Sequence, residues 1–294
     1  MADEADGELL DAGAAALLGR ITSAAVPPGT IAMWWLGQEG WIIRGGGVTL
    51  AIDPFLSDLG HYGRAYPPPL DPNAVTTLDL LLGTHNHVDH IDPIAFPQLL
   101  QASPGALGMV PAAVLDDVVA LDVAPDRLRG LVAGESTEHA GVRITAIPAV
   151  HADVPREGYD FYHDDMGRGR FLGYVLEIDG VRICHAGDTL PYPGLADSLS
   201  GLELDLLMLP INGISWFREE AGFAGNMNSF EAAQLADLVQ PRLTIPMHHD
   251  LFPVNGELAG SFVGYAERFH PGVQILVPVR GRRIDIVAGH QSTV

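Results

Sequence analysis

The chain of 294 residues has no lysine, a single cysteine and no apolar run long enough to cross a bilayer. Each absence removes a class of chemistry. Without lysine there is no Schiff-base nucleophile and no Gly-Lys-Ser/Thr phosphate loop. A lone Cys184 can neither close an internal disulfide nor build a cysteine-rich zinc site, which fits a reducing compartment. Positive charge is also scarce: 16 basic residues, all arginine, stand against 37 acidic ones, for a formal net charge of -21. That field repels phosphate backbones and anionic membranes, so neither nucleic acid nor a membrane is expected as partner, and a small-molecule substrate is. The acidic opening residues lack the basic stretch of a secretion signal, and a cytoplasmic location is expected.

What is present is apolar. Hydrophobic residues make up 47% and charged ones only 18% of the chain, enough to bury a sizeable core without staples. No repeat and no long linker is visible, so a single domain over 1–294 is expected, with 1–25 as an N-terminal helical extension. A helix is predicted over 9–21, broken by the Pro-Pro-Gly at 27–29. Apolar runs at 31–36, 41–44 and 48–52 read as strands, the last two joined by a glycine turn, and 78–83 reads as a further buried strand. Asp92-Pro93 opens a short helix that Pro97 is expected to limit to about one turn. Then come a helix over 111–121, strands over 142–150, 171–178 and 181–185, and a hairpin turn at Asp179-Gly180. The last third reads as a strand over 204–209, a helix over 228–238 with an Asn228/Glu231 capping box, a strand over 243–247, a helix over 256–269 and a last strand over 273–277. This order suggests an α/β (α+β) fold of two facing sheets with helices outside.

The chemistry begins where the strand over 78–83 ends, in Thr84-His85-Asn86-His87-Val88-Asp89-His90. From this composition a His-x-His-x-Asp-His string arises by chance on the order of once in several hundred chains. The alternative, an exposed polar loop, leaves the clustering unexplained, and a core cannot satisfy so many imidazoles at once. A metal can. In an extended segment side chains two apart share a face, so His85 and His87 can grip one ion while Asp89 and His90 face another. His61, His139, His163, His270 and His290 have no ligand-like context and read as surface residues.

This string resembles the metallo-β-lactamase superfamily, whose members carry it after a strand in a four-layer αββα sandwich. The resemblance extends along the chain to His151 in Pro148-Ala149-Val150-His151, Asp188 in Gly187-Asp188-Thr189 and His248 in Ile245-Pro246-Met247-His248, with His249 as a competitor for the last place. It implies that His85, His87 and His151 hold a first ion, that Asp89, His90 and His248 hold a second, and that Asp188 bridges them. His185 reads as an orienting residue. Asp53 matches a structural position of the superfamily and is left out of the chemistry. Within the superfamily, Trp35-Leu36-Gly37-Gln38-Glu39-Gly40, Ile52-Asp53-Pro54-Phe55-Leu56-Ser57, Leu209-Pro210-Ile211-Asn212-Gly213 and Gly225-Asn226-Met227 resemble the L-ascorbate-6-phosphate lactonase group. That likeness implies a homo-oligomer, and Asn212 and Asn226 in the substrate pocket.

Two divalent ions acidify a bridging water and polarise a carbonyl or phosphoryl oxygen, so hydrolysis is the expected reaction. For a lactone or related carboxylic ester, a bridging hydroxide would attack the ring carbonyl and Asp89 would carry the proton to the leaving alkoxide, with Asp188 the other catalytic carboxylate. Manganese, implied by the resemblance, and zinc both suit the mixed donors. Phosphodiester cleavage is the alternative. A phosphorylated sugar lactone, also implied by the resemblance, conflicts with the charge of the chain unless arginine helps locally. Arg218 is the candidate, followed by Arg156, Arg168 and Arg170, which read as surface residues. The glycine-containing stretch over 154–169 is expected to form a lid.

Overall fold

The computed structural model describes residues 13–59, 63–151 and 163–289. Strands β1 (Thr30–Gly37), β2 (Gly40–Gly45) and β3 (Val48–Ile52) form an antiparallel meander, and β4 (Leu80–Leu82), β5 (Leu107–Pro111) and β6 (Leu128–Leu131) extend it in parallel. Strand β13 (Arg283–Val287) closes the far edge beside β1. The second sheet contains β7 (Ser136–His139), β8 (Val142–Pro148), β9 (Leu172–Ile178), β10 (Val181–His185), β11 (Leu206–Pro210) and β12 (Thr244–Met247), in the order β12-β11-β10-β9-β8-β7. Strands β7 to β10 pair antiparallel, and β10, β11 and β12 pair parallel. Both sheets are therefore mixed, and β8, β10, β11 and β12 all point the same way.

Alternation along the strands builds the layers. Ile31, Met33 and Trp35 of β1 face the second sheet, packing into one core with Leu50, Ile52, Leu80 and Leu82 and with Tyr174, Ile183, Met208 and Met247. The opposite parity, Ala32, Trp34 and Leu36, packs outward against helix α1 (13–22), α2 (Ala95–Ala102) and the Val118 side of α3 (Leu115–Val119). On the far side Cys184, Leu207 and Leu209 meet α4 (Leu195–Leu199), α6 (Ser229–Val239) and α7 (Ala259–Phe269). Each fully buried large side chain adds ~1.5–3 kcal/mol of burial free energy, so three separate apolar layers fix the sandwich. The fold is the four-layer αββα sandwich expected from the sequence.

Several elements depart from expectation for identifiable reasons. Pro97 does not end the helix opened by Asp92: α2 runs to Ala102, because Pro97 lies in its first turn, where a missing N–H costs no intrahelical bond. The cap itself holds, with Asp92 Oδ1 accepting from the backbone of Ile94 and Ala95. The stretch over 111–121 divides into the end of β5, a 3-10 turn at Ala112–Val114 and α3. The strand expected over 273–277 is reduced to an isolated bridge between Thr244 and Ile275, and β13 lies further on. The capping box of α6 forms as read, with Asn228 accepting from Glu231 N–H and Glu231 from Asn228 N–H. Residues 9–12 of the expected first helix, and His61, Arg156, His290 and 154–162 of the expected lid, lie outside the described residues.

Candidate metal centre

One rim of the sandwich collects the residues that follow same-direction strands. Asp53 follows β3 and His85 follows β4 in the first sheet; His151, Asp188, Asn212 and His248 follow β8, β10, β11 and β12 in the second. Two facing sheets thus aim loops at the same space from opposite sides. The segment from Thr84 to His90 is bent rather than extended, with the His90 N–H donating to the His87 carbonyl at 3.0 Å, and the bend still keeps His85 and His87 together.

Donor atoms of His85, His87, His151 and Asp188 lie within 4.8 Å of one another, and so do those of Asp89, His90 and His248. Asp188 Oδ2 stands 3.8 Å from His85 Nε2, 3.5 Å from His90 Nε2 and 3.3 Å from His151 Nε2, while Oδ1 is 3.4 Å from His248 Nε2. Asp89 Oδ2 lies 3.6 Å from His90 Nε2 and 3.5 Å from His248 Nε2. A tetrahedral zinc ion with arms of ~2.0–2.1 Å separates its ligand atoms by roughly 3.3 Å, so these gaps suit a divalent cation. The buried Nε2 atoms of His85 and His90 have no hydrogen-bond partner, a costly state that a cation would relieve. The residues fit the metal that the sequence implies.

Electrostatics agree. Burial, reinforced by His90 and His87, holds His85 well below its ordinary range, and burial takes His151 down to about 3. Both are neutral imidazoles with lone pairs to offer. Burial resists charge on Asp188, but His248, His90 and His151 more than reverse it and keep the carboxylate well below its usual range. Burial opposes a proton on His248 too, yet Asp188 and Asp89 lift it to about 10.

The donors are held from behind by groups that the sequence alone did not assign. Asp53 Oδ2 takes the His90 Nδ1 proton at 2.8 Å, and both Asp53 oxygens accept from Thr84. Gln38 donates from Nε2 to Asp89 Oδ2 at 2.8 Å, while its own N–H is fixed by Asp250 Oδ1 at 3.0 Å. Gln38, Asp53 and His248 all have positive φ without being glycine, a strain that concentrates at functional sites. Glu39 is fully buried, neither carboxyl oxygen has a hydrogen-bond partner, and burial together with Asp188 pushes it well above the ordinary carboxyl range. His185 bonds through Nε2 to the Glu39 carbonyl at 3.0 Å, and its Nδ1 accepts from the Gly187 N–H at 3.3 Å. His249 packs against Trp35, with ring centroids 5.4 Å apart, and belongs to neither donor group.

A cavity of about 270 Å³ opens over the donors, lined by His87, Asp89, His151, Asp188 and His248 and walled by Val88, Phe223, Ala224 and Phe252. Asn212, Arg218 and Asn226, expected to bind substrate, are not among the residues that line this cavity. Asn226 donates to Asp188 Oδ1 at 2.8 Å and to Asn212 Oδ1 at 3.0 Å, and Asn212 donates on to Asn255 at 3.2 Å. They form a polar strut under Asp188. Arg218, on α5 (Trp216–Glu220), spends its guanidinium on the backbone carbonyls of Asn212 and Gly256. Arg168 pairs with Asp164, and Arg170 is half-buried.

Fold and site together define a metal-dependent hydrolase of the metallo-β-lactamase class. Residues 49–249 match the family model described as "Beta-lactamase superfamily domain", and the chain belongs to that family. It is 32% identical over 222 residues to a UPF0173 metal-dependent hydrolase of Thermococcus kodakarensis, covering 74% of this chain and 84% of the relative. It is 24% identical over 264 residues to a probable L-ascorbate-6-phosphate lactonase of Escherichia fergusonii, covering 79% of this chain and 73% of the relative. Among solved structures, Igni18, a metallo hydrolase from Ignicoccus hospitalis, shares the fold at a TM-score of 0.64 and 20% identity, covering 87% of this chain and 98% of its own. Among the described residues no helix is long and apolar enough to cross a membrane.

Proposed function

We propose that the chain opens lactones or related carboxylic esters, using two divalent cations, manganese or zinc. His85, His87 and His151 would hold one and Asp89, His90 and His248 the other, with Asp188 common to both. The observation that carries this reading is the position of Asp188, whose two oxygens stand 3.3–3.8 Å from imidazoles of both groups. Cations held there supply Lewis-acid polarisation of a carbonyl oxygen and a water acidic enough to attack near neutral pH. The protein needs no nucleophile of its own.

The remaining work falls to the side chains. Asn226, itself held by Asn212, donates to Asp188 Oδ1 and restrains its carboxylate. Asp89 lines the cavity as a carboxylate kept ionised, against burial, by His90 and His248. It is placed to take a proton from the attacking water and pass it to the leaving alkoxide. Phe223 and Phe252 wall the cavity and limit water. The experiment is a panel of lactones, esters and a model phosphodiester given to the protein loaded with manganese or zinc. Turnover of lactones or esters that disappears in His87→Ala and Asp188→Ala is expected. Turnover of the phosphodiester alone, or unchanged turnover in both variants, overturns the reading.

A further inference from the structure

We infer that the part of the substrate that does not react is uncharged and apolar, a short alkyl or aryl group, and that the site is not built for a phosphorylated sugar. The inference names the substrate class of the proposed hydrolase and rests on that reading for its reaction. Three observations lead to it.

The first is what the cavity wall offers. Above the metal-binding floor the side chains are Val88, Phe223, Ala224 and Phe252, with Asn86 and Asn255 the only further polar side chains, and no arginine lines the cavity among the described residues. A phosphate dianion is recognised by bidentate guanidinium groups, ammonium groups or stacked backbone N–H donors. Among the described residues the wall offers two asparagine amides but no guanidinium or ammonium group.

The second is where the nearby cation goes. Arg218 is the arginine next to this wall in the chain, since α5 leads directly into Gly222, Phe223 and Ala224. Its guanidinium is committed to the backbone carbonyls of Asn212 and Gly256. Freeing it to meet a phosphate would break both bonds. A net charge of -21 adds a general penalty against an incoming dianion.

The third is an exposed aromatic pair on the helix that precedes the wall in the chain. Trp216 and Phe217 open the helix that leads into the Phe223 wall, and they are 65% and 79% exposed with rings in contact at 5.1 Å. They are apolar surface on the helix that leads within a few residues into Phe223 and Ala224 of the wall. A cavity of about 270 Å³ is at the small end for ligand sites, which sets the scale of the buried part.

The test measures binding apart from turnover. Acetate, hexanoate, phenylacetate, gluconate and 6-phosphogluconate, each a carboxylate able to reach the metal floor, are titrated calorimetrically into manganese-loaded protein. Hexanoate and phenylacetate are expected to bind at least tenfold more tightly than acetate, and 6-phosphogluconate no more tightly than gluconate. Phe223→Ala, at a half-buried position, should remove most of the gain for phenylacetate and leave acetate unchanged, with Trp216→Ala acting more weakly. Tightest binding of 6-phosphogluconate, or equal affinity for acetate, hexanoate and phenylacetate, overturns the inference. If the apolar carboxylates bind as expected and no lactone or ester is turned over, the hydrolytic reading fails and the substrate class stands.

Discussion

Asp53 Oδ2 and His90 Nδ1 are 2.8 Å apart, both fully buried, and the bond fixes which ring nitrogen of His90 faces the site. With Nδ1–H donated backward, Nε2 points at Asp188 and Asp89. Carboxylate partners of this kind raise the basicity of a ligating imidazole, and their loss typically costs ~10–100-fold in metal affinity. Asp53→Asn should therefore weaken binding of a cation at His90 by roughly that factor while keeping the fold, since an amide oxygen can still accept from Thr84. Competition with a chromogenic chelator measures it, and unchanged affinity would show that the pair is only structural.

The metal-free protein should lose stability as the solution becomes alkaline. The His248 proton is held up to about 10 against an ordinary value of 6.5, so its stabilising contribution is complete below 6.5 and disappears as pH rises through 10. The acid form of Glu39, raised in the fold, acts in the same direction. Metal binding must displace the His248 proton, so affinity for the cation should rise with pH and loading should release protons. Melting temperatures of chelator-treated and loaded protein between pH 6 and 10 should diverge with pH. Parallel curves would contradict the assignment of His248.

Gly187 sets the direction of Asp188. Its φ is +63°, and a Cβ there would lie 2.6 Å from the Leu172 carbonyl oxygen, a backbone atom that cannot move aside. Gly187→Ala should cost about 1–3 kcal/mol from backbone strain alone and lower metal occupancy as Asp188 shifts. Thermal melting with elemental analysis reports both effects.

Cys184 lies in the outer layer of the second sheet, and burial pushes its thiol up to about 12. Since the thiolate is the reactive form, Ellman's reagent at pH 8 should label it only as fast as the protein unfolds. Rapid labelling of the native, metal-loaded protein would place the residue nearer to solvent than the packing does.

The donor set was legible to unequal degrees. His85, His87, Asp89 and His90 declare themselves because they are neighbours in the chain. His151, Asp188 and His248 were reached only through a resemblance, because a residue after a strand looks like any loop residue until the sheet order brings its strand alongside. The support that Gln38 gives stayed hidden for the same reason in stronger form, since it joins Asp89 to an Asp250 far along the chain. Strands β9 and β10 were plain from apolar runs around Asp-Gly, whereas β6, β7 and β13 are partly exposed and lack such runs. Arg218 looked like a ligand-binding arginine, and only the geometry reveals that it clamps two backbone carbonyls.

His85, His87, Asp89 and His90 hang from one sheet, while His151, Asp188 and His248 hang from the other. A cation seated among them would act as a rivet driven across the seam of the sandwich. Prying the halves apart would then require breaking coordination bonds as well as parting apolar faces, so metal supply should govern how long the folded chain survives proteases.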